Sequence, residues 1–246
     1  MRGLTSAVYS VFAYIIFLGS FLYAIGFVQN LIVPKSIDGD PSAPLVPSLL
    51  INLTLLAVFA VQHSLMARPA FKRVWTRFVP AQSERSTYVL FASLALLLLY
   101  WQWRPLPQTV WAVGDPILSA AILGVGWFGW GMVLLSTFLI SHFHLFGLSQ
   151  GFARVLGRTD NDDGTFRTPL LYRWLRHPIY AGFIIAFWAT PQMSLGHLVF
   201  AIATTGYVFI GIWFEERDLV AQFGDRYRAY RHSVGMLIPK RAKRPA

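Results

Sequence analysis

Arg176-His177-Pro178-Ile179-Tyr180-Ala181-Gly182, then the apolar stretch 183–213, then Glu215-Glu216-Arg217-Asp218-Leu219: titratable residues stand at both ends of a segment apolar enough for a bilayer. If 183–213 enters the membrane and returns, both polar clusters emerge on the same side, close together. Polar groups at such a border are costly and usually have a task. The stretch divides into arms at 179–191 and 196–214, turned between Pro191 and Gly196. Each arm is short for a full span, which implies tilt or burial among other helices.

The composition agrees with a bilayer. The 246 residues are 55% hydrophobic and 13% charged, with a mean hydropathy of +0.51, whereas soluble domains carry roughly 25% charged residues. The expected fold is an all-α integral membrane protein: a bundle of five to six transmembrane helices with a C-terminal helical hairpin and a cytoplasmic amphipathic helix. One domain over 1–246 would use nearly all of the chain. The absence of cysteine excludes disulfides, Cys-ligated zinc, Fe–S clusters and a thiol nucleophile. The net charge of +10 comes mostly from Lys and Arg in loops between apolar runs, the positive-inside pattern. No basic groove or nucleic-acid motif accompanies it, so nucleic acid is not an expected partner.

Working outward from the hairpin, the chain before it reads as a four-span scaffold, 1–142, with spans at 7–28, 47–66, 88–103 and 117–140. The first run is too long and aromatic for a cleaved signal peptide. The Pro-rich loop through Lys35, Asp38 and Asp40 reads as the outer side. Arg68-Pro69-Ala70-Phe71-Lys72-Arg73-Val74-Trp75-Thr76-Arg77 reads as a basic amphipathic segment in the cytoplasmic headgroup layer. Gly124, Gly126, Gly129 and Gly131 in the fourth span are read as close-packing positions, since no strand precedes them as a dinucleotide-binding turn requires. Residues 143–175 read as a cytoplasmic loop, turn-rich at Asp160-Asn161-Asp162-Asp163-Gly164. Past Glu215, Leu219, Phe223, Tyr227 and Tyr230 fall on one helical face, with Arg226, Arg228 and Arg231 elsewhere, an amphipathic helix on the cytoplasmic surface. The basic tail 240–246 closes the chain, and both termini fall on the cytoplasmic side.

Several residues are candidates for chemistry. His177 and Tyr180 lie three apart at a helix start favoured by Pro178, and a helix N-terminus suits a carboxylate or phosphate. His177 is either a cap or a ligand-binding group. Adjacent Glu215 and Glu216 point to different sides of a helix, so one would contact a ligand while the other pairs with Arg176 or Arg217. His142 and His144 are two apart and lack metal-ligand spacing, so no metal is expected.

The ordered set Arg-His-Pro-x-Tyr-x-Gly, apolar hairpin, Glu-Glu-x-x-Leu, Phe223-Gly224-x-x-Tyr227-x-x-Tyr230 and Pro239 resembles the isoprenylcysteine carboxyl methyltransferase superfamily of membrane methyltransferases. Pro34-Lys35-Ser36-Ile37-Asp38, Gln62-His63-Ser64, Met66 to Lys72, Glu84-Arg85-Ser86-Thr87-Tyr88 and Leu145-Phe146-Gly147-Leu148 are similar to its nurim-like branch. Within that branch the similarity is to bacterial enzymes that act on methanethiol, and it runs over essentially the whole chain. His144 and Ser149 depart from the acidic and basic residues expected there, and Gly235 departs from the usual Pro.

The resemblance implies methyl transfer from S-adenosylmethionine to methanethiol, giving dimethyl sulfide, at the cytoplasmic face of a bacterial inner membrane. It implies that Arg176, His177, Tyr180, Gly182, Gln150, Glu215 or Glu216, and Tyr227 or Tyr230 hold the cofactor, within a hairpin-and-helix region 176–239. A thiol acceptor reacts as thiolate. The candidates for activating it are His63, Arg68, Arg85, Tyr88 and His142, at the ends of spans two to four. His63 can equally serve a helix–helix hydrogen bond, and Arg68 and Arg85 can equally contact lipid phosphate. Two other readings stay open: the same cofactor with a phospholipid amine or prenylated carboxylate as acceptor, and a non-catalytic nurim-like membrane protein.

Overall fold

The computed structural model describes residues 2–41, 43–157 and 166–240. In chain order its helices are α1 (Arg2–Gln29), α2 (Leu45–Ala67), α3 (Pro69–Trp75), α4 (Ala81–Gln102), α5 (Pro116–Ile140), α6 (His142–Leu145), α7 (Leu148–Ala153), α8 (Pro178–Trp188), α9 (Leu195–Phe223) and α10 (Asp225–Ser233). A 3₁₀ turn covers Leu170–Arg173, and two short strands, β1 (Thr109–Ala112) and β2 (Gln192–Ser194), pair antiparallel. Prolines punctuate the chain: α3, α5 and α8 begin on Pro69, Pro116 and Pro178, and Pro44 and Pro80 directly precede α2 and α4. A proline there sacrifices only an N–H that has no intrahelical partner.

Four helices are long and apolar enough to cross a membrane among the described residues: Gly3–Gln29, Leu45–Ala67, Pro116–Ile140 and Leu195–Phe223. Their outward faces carry side chains such as Phe12, Ile15, Leu50, Ile117 and Phe128, a load that water would not tolerate and lipid does. The chain is an all-α integral membrane protein. α8 is apolar but has 11 residues, roughly 16 Å against a hydrocarbon core of roughly 30 Å.

The chain forms two compact units. The first holds α1 to α4, α6, α7, the β1–β2 ribbon and the start of α9. In it α1 packs on α4 and α7, and α2 on α4. Small polar groups stitch the α1–α4 seam: Gln82 Nε2 donates to Ser6 Oγ (2.8 Å), and Tyr9 OH donates to Thr87 Oγ1 (3.0 Å). Away from water such contacts are an available interhelical adhesive. At the other end Phe27, Tyr100, Trp103 and Phe200 interlock, and Trp103 Nε1 donates to Ile37 O at 3.0 Å. The Asp38 carboxylate accepts hydrogen bonds from Asn30 Nδ2 (2.8 Å) and from Ser194 Oγ, tying the 30–40 loop to the ribbon.

The second unit holds α5, the 3₁₀ turn, α8, most of α9 and α10. α5 and α8 touch backbone to backbone at Gly129 and Gly182. A Cβ on Gly129 would lie 2.6 Å from Ala186 N, and one on Gly182 would lie 2.8 Å from Gly129 O. Trp130 closes the contact edge-on against Phe183 and Phe187.

The structure revises several expectations. The expected third span, 88–103, lies in a helix that starts earlier, since Pro80 initiates α4 at Ala81 and places Glu84, Arg85 and Tyr88 inside it. Among the described residues, α4 is not one of the four helices long and apolar enough to cross a membrane. The second hairpin arm is not short: α9 continues through Glu215 and Glu216 to Phe223, 29 residues in all. The amphipathic helix through Leu219, Phe223, Tyr227 and Tyr230 is two helices, broken at Gly224 in a positive-φ conformation (φ 57°) that a side chain would disfavour. The 143–175 stretch is not simply loop, since it contains most of α6, all of α7 and the 3₁₀ turn. The β1–β2 ribbon was not anticipated. Of the glycines in α5, Gly129 makes the close contact, whereas nothing lies within 4 Å of a Cβ on Gly124 or Gly131. The turn at 160–164 and the tail beyond Lys240 lie outside the described residues.

Candidate functional site

The start of α8 is held by the chain's last described segment. Arg176 N donates to Gly235 O (2.8 Å) and His177 N to Met236 O (3.2 Å). Arg176 Nη1 reaches Val234 O (2.6 Å) and Arg231 O (3.0 Å). A Cβ on Gly235 would overlap the Ile238 carbonyl, so this turn takes glycine where the resemblance leads one to expect Pro.

Glu216, on α9, sits at the centre of a charged network. Its Oε1 accepts from Arg176 Nε (2.7 Å) and from His177 Nε2 (3.2 Å), and its Oε2 pairs with Arg231 Nε (3.2 Å). Its side chain is 11% exposed and that of Arg176 8%. Bonds between ionised partners are shorter and stronger than neutral ones, and burial of the Arg176–Glu216 pair raises the cost of breaking it. Glu216 is thus occupied in fastening α8, α9 and α10 together.

Glu215 is different. It is 44% exposed, and its Oε2 lies 3.7 Å from His177 Nδ1, beyond hydrogen-bond range. The two glutamates were expected to face different surroundings, and they do, yet both flank one imidazole. Tyr180 packs against His177 with ring centroids 5.7 Å apart. Gly182 meets α5 rather than open space.

Beside the network lie Tyr172, Tyr227 and Tyr230. Tyr230 OH donates to Tyr172 O at 2.5 Å, so this hydroxyl is committed to holding the 3₁₀ turn. Burial pushes the Tyr230 phenol up to about 12, partly offset by Arg176. Burial also raises Tyr172 and Tyr227, reinforced by Glu215 and by Glu216 respectively, so both remain phenols. Phe166 stands edge-on to Tyr227 (5.8 Å, 90°) and near Tyr230 (5.1 Å), with Arg226 over its ring. Arg231 and Tyr172 were missed as site residues. Arg231 lies far from Glu216 along a straight helix, and only Gly224 signals that the chain folds back.

The first unit carries a second cluster. Tyr88 OH lies 2.8 Å from His63 Nε2, and Arg85 stacks over the Tyr88 ring at 5.1 Å while its Nε donates to Leu145 O (2.7 Å). Tyr14 OH lies 2.8 Å from His142 Nε2, and Phe146 stacks on Phe17 at 3.8 Å and meets His142 edge-on. Phe17 and Phe146 both pack on the core of Met66, Tyr88 and Val89, so His63, Arg85, Tyr88 and His142 border one aromatic core. Arg68 Nε donates to Ser64 O (3.3 Å) at the end of α2. Gln150 belongs to this unit, where its Nε2 donates to His144 O (3.2 Å). Burial lowers the His142 imidazole from its ordinary value. Tyr14 and Phe17 carried no motif that could have singled them out, and Phe146 stood within the Leu145-Phe146-Gly147-Leu148 motif without being picked as a site residue.

Fold and site define a class: a helical integral membrane protein whose buried Arg–His–Glu network closes the base of an apolar hairpin. The chain is 53% identical over 239 residues to Methanethiol S-methyltransferase of Mycobacterium tuberculosis, covering 97% of this chain and 98% of that one. It is 55% identical to Methanethiol S-methyltransferase 1 of Bradyrhizobium diazoefficiens, over 95% of this chain and 81% of that one. It is also 30% identical to Nurim of Rattus norvegicus, over 71% and 69% of the two chains. The chain belongs to the methanethiol S-methyltransferase family, with a nurim-like relationship. No model of a known family and no solved structure matches it.

Proposed function

We propose that the protein methylates methanethiol to dimethyl sulfide, using S-adenosylmethionine, at the cytoplasmic face of a bacterial inner membrane with both termini in the cytoplasm. The observation that carries this reading is the likeness to methanethiol S-methyltransferases along nearly the full length of both chains. The residues present fit such a donor. Glu215 offers a half-exposed carboxylate suited to an ammonium or ribose hydroxyl, and the α8 N-terminus beside His177 suits a carboxylate. The family's small thiol substrate also explains a bilayer location, because methanethiol partitions readily into apolar surroundings.

The bound donor supplies a sulfonium methyl: the thiolate sulfur–carbon bond forms as the sulfonium carbon–sulfur bond breaks, leaving S-adenosylhomocysteine. This chain's residues then have two tasks. In the second unit Glu216, Arg176 and Arg231 keep His177 and Glu215 rigid, because positioning lowers such a barrier most. In the first unit His63 and His142 are the imidazoles able to accept the thiol proton, and Arg85 is the cation that favours thiolate. The aromatic and thioether surface of Phe17, Phe146 and Met66 suits a small sulfur compound. The basic residues of α3 and α10 support the proposed orientation through the positive-inside rule.

The test is headspace dimethyl sulfide from membranes given S-adenosylmethionine and methanethiol, with His177→Ala at matched expression. Product that disappears in the variant supports the reading. Donor binding without product from methanethiol would overturn the acceptor and turn the search to lipophilic acceptors.

A further inference from the structure

Two hydroxyls of the second unit are anomalous. Tyr172 and Tyr227 are 8% and 1% exposed, and each OH is buried with no hydrogen-bond partner among the described residues. A buried, unmatched hydroxyl is costly, and native chains retain one chiefly where something else satisfies it. Both phenols feel the Glu215 carboxylate, so they belong to one neighbourhood. Tyr230 does not share the anomaly, because its hydroxyl is bonded to Tyr172 O.

We infer that the Tyr172 and Tyr227 hydroxyls bind the purine nucleoside half of the methyl donor, donating to its ring nitrogens or ribose oxygens. The inference rests on the S-adenosylmethionine reading above and names residues for one end of that molecule. Two observations select this half. A carboxylate is unfavourable here, because Glu215 acts on both hydroxyls and Glu216 on that of Tyr227 as well, and an ammonium has Glu215 itself as its better partner. Neutral acceptors are left. The neighbourhood is also aromatic: Phe166 stands against Tyr227, Tyr230 and Phe223, with centroids between 5.1 and 5.8 Å. Rings of this kind give a purine a surface on which to lie.

The sign of the stability effect makes the test specific. If the hydroxyls only held the fold, Tyr→Phe would lower the melting temperature. If they await a ligand, Tyr→Phe removes an unmatched polar atom, so the ligand-free protein keeps or gains stability while affinity falls. The full-length protein in lipid nanodiscs is titrated calorimetrically with S-adenosylhomocysteine and, separately, with adenosine, for wild type, Tyr172→Phe, Tyr227→Phe and the double variant. Each single change should weaken both ligands about 3- to 10-fold, the worth of one hydrogen bond, with no drop in ligand-free Tm. Equal affinity in all four proteins would overturn the inference while leaving the donor reading intact. So would a parallel loss of Tm and affinity, or weakened S-adenosylhomocysteine with adenosine unaffected. If wild type binds neither S-adenosylmethionine nor S-adenosylhomocysteine, the donor reading itself fails and takes this inference with it.

Discussion

Replacing Glu216 with Ala and, separately, Glu215 with Ala should produce opposite effects from neighbouring positions. Glu216 is 11% exposed and bonded to Arg176, which is 8% exposed, at 2.7 Å. Removing one partner of a buried pair costs about 3–5 kcal/mol because the other charge is stranded. The Arg231 contact at 3.2 Å contributes little more, since Arg231 is 46% exposed and largely screened. For a chain of this size, each kcal/mol moves Tm by about 2–4 °C, so Glu216→Ala should lose roughly 6–20 °C. Glu215→Ala removes a half-exposed carboxylate 3.7 Å from His177 Nδ1, beyond hydrogen-bond range, and should change stability by no more than about 0.5 kcal/mol. Its loss should appear instead in donor binding, about tenfold or more for one charge-assisted contact. Scanning fluorimetry of both variants in the same detergent, followed by S-adenosylhomocysteine titration, decides the matter. A Glu215→Ala protein that melts as early as Glu216→Ala, or a Glu216→Ala protein with unchanged Tm, would refute the division of labour.

Gly129→Val should cost at least about 3 kcal/mol, because the atoms it would strike are backbone. Gly124→Ala should be neutral or gain about 0.5–1 kcal/mol, and relative yields and Tm values check both. His142 is held below its ordinary value by burial, so the unfolded chain takes up the proton first as pH falls below about 6.5. Stability is therefore lost on acidification, and the Tm difference between wild type and His142→Gln should shrink between pH 7.5 and pH 5.5. Tyr14→Phe removes the hydroxyl 2.8 Å from His142 Nε2. It should cost about 1 kcal/mol in thermal unfolding.

The membrane class and the location of the polar border were legible because hydropathy and charge are properties of contiguous sequence. Runs at 7–28, 47–66 and 117–140 sit inside helices of nearly those limits. The network at Arg176, His177 and Glu216 was also within reach, since apolar arms separate its members in a predictable way. Other features were not. Arg231 is 15 residues beyond Glu216, and its return depends on one glycine conformation. Tyr172 precedes the motif, and nothing in its spacing marks a buried, unmatched hydroxyl. The extension of α9 past Glu216 was hidden because polar residues in an interfacial helix look like the end of a span. The role of Gly182 was legible only once the partner Gly129 was known, since pairing across helices leaves no local periodicity.

The break at Gly224 also sets a schedule for the molecule. A helix continued straight from Glu216 to Arg231 would set them roughly 22 Å apart along its axis, yet they touch at 3.2 Å. Gly235 and Met236 then clasp the backbone of Arg176 and His177. All four long apolar helices precede this clasp in the chain. A nascent chain stopped at Phe223 would therefore be able to insert and pack its spans while lacking Arg231, Tyr227 and the latch on α8. Anchoring in the lipid and closing the charged network thus draw on different parts of the chain, the spans on residues before Gly224 and the latch on residues beyond it.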